Sequence, residues 1–88
     1  MFECIVAIDH FENSTSTVLR ETIGEFADER VAVAAARHDR AAFIESGRTE
    51  YAWWMVRQSG EQLARWIADS RSTREFVLDM RSGQLVKA

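Results

Sequence analysis

Tyr51-Ala52-Trp53-Trp54-Met55-Val56 is a run of six apolar residues, three of them large aromatics. In a strand, successive side chains point to opposite sides. Tyr51, Trp53 and Met55 then line one face, and Ala52, Trp54 and Val56 the other. A chain of 88 residues has one small core, and folding at that size buries only about 60–65% of the extended chain's surface. Adjacent indoles therefore need cover on both faces of the strand, unless one face is kept for a partner. We read Thr49–Gln58 as a strand. Its rival is a helix running on through Ser59-Gly60, with Ala52, Val56, Leu63 and Ile67 as its apolar stripe.

Upstream, Phe2–Asp9 alternates loosely with both sides mostly apolar, which reads as an inner strand. Asp9-His10-Phe11-Glu12-Asn13 is a polar break. Ser14-Thr15-Ser16-Thr17 follows, four residues whose hydroxyls suit a helix N-cap. The spacing predicts a helix from there: Leu19, Ile23, Phe26 and Ala27 recur every three or four residues, with Glu21, Glu25, Asp28 and Glu29 opposite. Gly24 inside it costs up to about 1 kcal/mol relative to Ala, which suggests that another backbone comes close. Ala-rich residues 29–46 predict a second helix stopped by a left-handed Gly47. One continuous helix of about thirty residues, long by ordinary standards, and a strand over Arg30–Arg37 are the alternatives.

Downstream, Ser59-Gly60-Glu61-Gln62 has the residues of a helix opening, and predicts a helix carrying Leu63, Ala64, Trp66 and Ile67 inward to about Ser70–Ser72. Glu75–Met80 and Gln84–Lys87 flank Arg81-Ser82-Gly83 and read as a hairpin. Phe76, Leu78, Met80, Leu85 and Val86 would supply its core side. The expected fold class is α+β: one domain over residues 1–88, with a mainly antiparallel sheet of three to four strands and two to three helices on one face.

Composition narrows the function classes. The chain is 47% hydrophobic and 28% charged with a net charge of −3, as in ordinary globular proteins. Residues 1–56 carry five Arg and ten acids; residues 57–88 carry five Arg, one Lys and four acids. Neither half is basic enough for a histone-like nucleic-acid binder. Cys4 is the only cysteine, which excludes an intrachain disulfide and a cysteine-rich zinc site. No apolar run exceeds six residues, far below a membrane span, and Met-Phe-Glu at the start does not resemble a secretion signal. A cytoplasmic protein is expected.

Candidate chemistry is sparse. Asp9, His10 and Glu12 are the one tight set of metal-type ligands, and an ordinary polar loop accounts for them better. Cys4 falls in the strand pattern as a small buried hydrophobe. No nucleophile elbow or phosphate loop occurs, so neither an enzyme nor a cofactor is expected. Trp53 and Trp66 suit the core. Trp54, forced to the other face, is the candidate docking aromatic together with Tyr51. The acids Glu21, Glu25, Asp28 and Glu29 would steer a partner electrostatically. The expected function is a non-enzymatic protein-binding module, an inhibitor or adaptor masking a site on a larger protein. Phage-encoded blockers of host defence, such as anti-CRISPR proteins, are of this type. The alternatives are a nucleic-acid-associated regulator using Arg57, Arg65, Arg71, Arg74 and Arg81, and a small metal enzyme on Asp9, His10 and Glu12. A homodimer is a further expectation, since an apolar face on each side of one strand and a free hairpin edge could pair with a second copy.

Overall fold

The computed structural model describes residues 1–61, 64–71, 76–79 and 84–87, with 66, 76–79 and 84–87 described by their backbone alone. The elements are β1 (Phe2–Glu12), β2 (Thr15–Phe26), α1 (Glu29–Glu45), β3 (Tyr51–Gln58), β4 (Arg65–Asp69), β5 (Phe76–Asp79) and β6 (Gln84–Lys87). Four antiparallel strands form one sheet in the order β2-β1-β3-β4, and β5-β6 is a separate hairpin. The class is α+β with one helix among the described residues, where two to three were expected.

β3 is a strand as the six-residue run predicts, and its register sets Trp54 opposite Val6 and Trp53 opposite Ala7. Directly opposed residues share a face. Cys4, Val6, Ala52, Trp54, Val56 and Ile67 therefore join Ala32, Ala36 and Phe43 of α1 in the main core. Ile5, Ala7, Met55 and Ala64 form a smaller cluster on the far face. The helix forms as expected over 29–45. Asp28 caps it, its carboxylate accepting the Arg30 backbone N–H at 2.9 Å. Gly47, with φ of 78°, ends it in the left-handed region where a Cβ would be strained. Ala32 and Ala36, both solvent-free, let α1 approach the sheet closely. Arg40 Nε donates to the Asp69 carbonyl at 2.7 Å, and Glu29 pairs with Arg65, so the helix is tied to β4 at two points.

The helix expected from Val18 is strand β2. Asn13 and Ser14 take φ of 52° and 63°, the two positive values that a tight two-residue hairpin turn needs. The polar break is that turn, and the hydroxyl run cannot cap a helix there. Thr15, Thr17, Val18, Thr22 and Ile23 are β-branched and favour an extended chain. The helix-like spacing has a physical cause. Between Cys4/Ile5 of β1 the β2 register slips, pairing Cys4 with Gly24 but Ile5 with Thr22. The extra residue is Ile23, and this bulge lets both Ile23 and Phe26 pack on the helix-side core. Gly24 is covered by a ring, not by another backbone: a Cβ there would lie 3.0 Å from Phe26 Cζ.

The helix expected after Ser59 is also absent over 65–69, where β4 runs. Glu61 N–H donates to the Gln58 carbonyl at 3.0 Å and Gly60 has φ of 86°, the pattern of a type II turn that sends the chain back along β3. A bulge at Trp54/Met55 again inserts one residue, Ile67, whose side chain reaches the main core. Gln62, Leu63 and Ser72 of that expectation lie outside the described residues, as do Met80 and the side chains of Trp66, Phe76, Leu78, Leu85 and Val86. The expected C-terminal hairpin is present, with Phe76 opposite Lys87 and Asp79 opposite Gln84.

Candidate functional site

β3 pairs with β1 only as far as Asp9↔Tyr51, whereas β1 and β2 stay paired out to Glu12↔Thr15. Residues 10–17 therefore project past the rest of the sheet as a two-stranded arm. Every residue from His10 to Thr22 is exposed. Phe11 is 72% exposed, and Val18 is 46% exposed. Both lie on the far face, since Phe11 opposes Ser16 and Val18 opposes Asp9, which opposes Tyr51. Tyr51 and Trp53, on that same face, are half-buried with ring centroids 5.6 Å apart. Phe11, Val18, Tyr51 and Trp53 thus cluster at one end of the face opposite α1. Polar groups ring them. The Tyr51 hydroxyl donates to Asp69 Oδ2 at 3.3 Å, and the Arg71 guanidinium lies 5.0 Å from the Tyr51 ring centroid. Desolvation, then the Asp69 carboxylate, pushes the Tyr51 phenol above its ordinary range.

Trp54 is not part of this surface. It is 0% exposed, its Nε1–H donates to Asp39 Oδ2 at 2.9 Å, and its ring meets Phe43 edge-on at 5.5 Å and 78°. Helix α1 covers the face to which strand alternation sends it, so its indole cannot anchor a partner. The expected acidic stripe is not a stripe either. With β2 extended, Glu21 opposes Val6 on the helix face and Glu25 opposes Glu3 on the far face. Asp28 caps α1, and its backbone and side-chain bonds from Arg30 hold its carboxyl below the usual range. Glu29 pairs with Arg65. Glu21, Glu25 and Asp28 are exposed, but Asp28 is taken up by the Arg30 bonds, which leaves Glu21 and Glu25 on opposite faces.

The metal-type trio is split by the same alternation. His10 and Glu12 face together, with His10 Nε2 at 3.7 Å from Glu12 Oε2, whereas Asp9 faces away and accepts from Ser16 Oγ. Among the described residues no three His, Cys, Asp or Glu groups could hold a metal ion. Of the expected basic set, Arg57 donates to Glu3 at 2.6 Å and Arg65 pairs with Glu29. Arg74 and Arg81 lie outside the described residues. A cleft of about 350 Å³ beside the C-terminal half of α1 is walled by Glu21, Asp39, Ser46 and Arg48. Arg48 there is spent on Glu50 and on the Phe43 ring, 4.7 Å away. No described helix is long and apolar enough to cross a membrane.

Cys4 is fully enclosed between β2, β3 and α1. Burial first, then the Asp39 charge, pushes its thiol from the ordinary 9.0 to about 11. A thiol raised in the folded state contributes stability that is full below the unfolded value of 9.0 and is lost as pH climbs through about 11. We expect Cys4 to resist an aromatic disulfide reagent at pH 8 in the native protein and to react at once in denaturant. Rapid native-state labelling would contradict its enclosure.

Phe11 and Val18 were missed in the sequence because the run around them reads as a polar break and a helix start. The usable signal was Asn13-Ser14, two polar residues between stretches able to extend. Compared with protein-family models, curated proteins and solved structures, the chain matches none.

Proposed function

We propose that this chain is a non-enzymatic protein-binding module that covers a site on a larger protein, as an inhibitor or adaptor does. The observation that carries the reading is the exposure of Phe11 and Val18 on the projecting arm, beside half-buried Tyr51 and Trp53 on one face. Large side chains left in water cost free energy that a partner recovers on docking, and aromatics dominate the energy of such contacts. Arg71 and Asp69 at the margin supply a polar rim of the kind interfaces carry. Glu21 and Glu25 would add a negative field that steers encounter with a basic surface. Phage-encoded blockers of host machinery are one class that this description fits.

The test is affinity capture of partners from the native host with the tagged chain and a Phe11→Glu/Val18→Glu variant. Both side chains are exposed, so the variant should fold and melt as the parent does. The reading expects retention of the partner to fall by at least about tenfold. Equal retention by a folded variant would place the contact elsewhere.

A further inference from the structure

We propose that β2 closes its open edge on a second copy of itself, in a two-fold register centred on Leu19. β1 is paired on both sides, but β2 has β1 on one side only. Natural edge strands are guarded by charged side chains, Lys above all, by Pro or by bulges. The charges of Thr15–Thr22 are Arg20 and Glu21, one on each face. β2 contains neither Lys nor Pro, and its bulge lies at the Gly24 end, which leaves Thr15–Thr22 regular. In the middle of that run stand Val18 on the far face and Leu19, 55% exposed, on the helix face.

Two rules narrow the register, and the apolar row it builds then selects it. An antiparallel dimer across an edge has its two-fold axis perpendicular to the sheet, so opposed residues share a face and odd-numbered positions of Thr15–Thr22 meet odd ones. Like charges must not oppose each other. Centring on Arg20 or on Glu21 sets each against its own copy. Centring on Val18 sets Thr17 against Leu19 and leaves the valine pair between two copies of Asp9. Centring on Leu19 puts Leu19 against Leu19, Val18 against Arg20 and Thr17 against Glu21. Because Ile8 opposes Leu19 within each chain, a four-residue apolar row results: Ile8, Leu19, Leu19 and Ile8 of the second copy. The flanking rows are complementary in charge. Arg20 of the second copy faces Val18, with Asp9 behind it, and Glu21 of the second copy faces Thr17, with His10 behind it. The product is a continuous eight-stranded sheet with both copies of the Phe11–Tyr51 surface on one face. This pairing does not rest on the proposed partner-binding role.

Sedimentation equilibrium at about 100 µM, a hundredfold above a micromolar dissociation constant, should give twice the 10.1 kDa chain mass. Leu19→Glu sets two carboxylates against each other on the axis and should give a folded monomer, shown by an unchanged circular dichroism spectrum and by cooperative melting that lacks the parent's dependence on protein concentration. Leu19→Cys should form an interchain disulfide on oxidation, because residues opposed on the axis have Cα atoms about 4.5–5.5 Å apart. Arg20→Cys should not, as two residues of offset carry it beyond about 7 Å from its own copy. A monomeric parent protein, a dimer that survives Leu19→Glu, or equally efficient cross-linking through Arg20→Cys would overturn the proposal. The Leu19→Glu monomer should still capture the partner, and Phe11→Glu alone, on β1 and outside the pairing strand, should lose the partner yet still dimerise, which separates the two surfaces.

Discussion

Trp54→Ala should cost about 3–5 kcal/mol of folding free energy. The indole is the largest fully buried side chain among the described residues, and it fills the space between β3 and α1 against Phe43. For a chain of this size the loss corresponds to a fall in Tm of more than about 12 °C, out of a total stability of about 5–15 kcal/mol. Trp54→Phe separates the two parts of the effect. It keeps most of the packing but leaves Asp39 Oδ2 without the donor now 2.9 Å away, and should cost about 1–3 kcal/mol. Chemical denaturation followed by circular dichroism measures both. A Trp54→Ala protein as stable as the parent would show that the indole is not enclosed.

Phe43→Ala should cost a similar amount, about 3–5 kcal/mol, though Phe43 lies on a different element. Its ring is the bulkiest buried contribution of α1, whose other buried positions are Ala32 and Ala36. Without it the fully buried part of the helix face is Ala32 and Ala36, with half-buried Val33 and Ala35 beside them. The ring meets Trp54 edge-on and carries the Arg48 guanidinium on its outer side, so the loss includes aromatic and cation–π terms beyond burial. In a cycle built from Phe43→Leu and Trp54→Phe the two costs should fail to add by about 0.5–1.5 kcal/mol. Additive costs would mean that the rings do not touch. Folding stability by urea titration checks each corner.

Several elements were legible because local and tertiary preferences agree in them. β1 and β3 show two-sided apolar alternation. α1 combines an alanine-rich run with Asp28 at its start and Gly47 at its end. β2 and β4 were not legible, for one shared reason. Each carries a bulge, at Ile23 and at Ile67, that adds one residue to the period-two pattern and makes it look like a turn of helix. At Ser59-Gly60 the hydroxyl and glycine that suit a helix opening equally suit the turn they form. Alternation correctly separates Trp53 from Trp54. Which of the two the helix covers depends on where α1 lands, and that is decided by the small residues Ala32 and Ala36 fitting over the Trp54 side. Tyr51 is half-buried on the far face, whereas Trp54, expected as a docking aromatic, is enclosed beneath α1. Phe11 and Val18 emerge only once the Asn13-Ser14 turn joins two strands of unequal support. The same turn dissolves the acidic stripe, because extending β2 sends Glu21 and Glu25 to opposite faces.

The division of the sheet into a helix-covered face holding Trp54 and a far face bearing Tyr51 and Trp53 underlies the proposed partner-binding surface. Hydrogen exchange of the tryptophan indole N–H groups, followed by NMR in deuterated water, tests that division most directly. The Trp54 indole signal, identified by its loss in Trp54→Phe, should outlast mixing by hours and exchange far faster in Asp39→Ala. Exchange of that proton within the dead time of the parent protein would contradict the burial of Trp54 beneath α1.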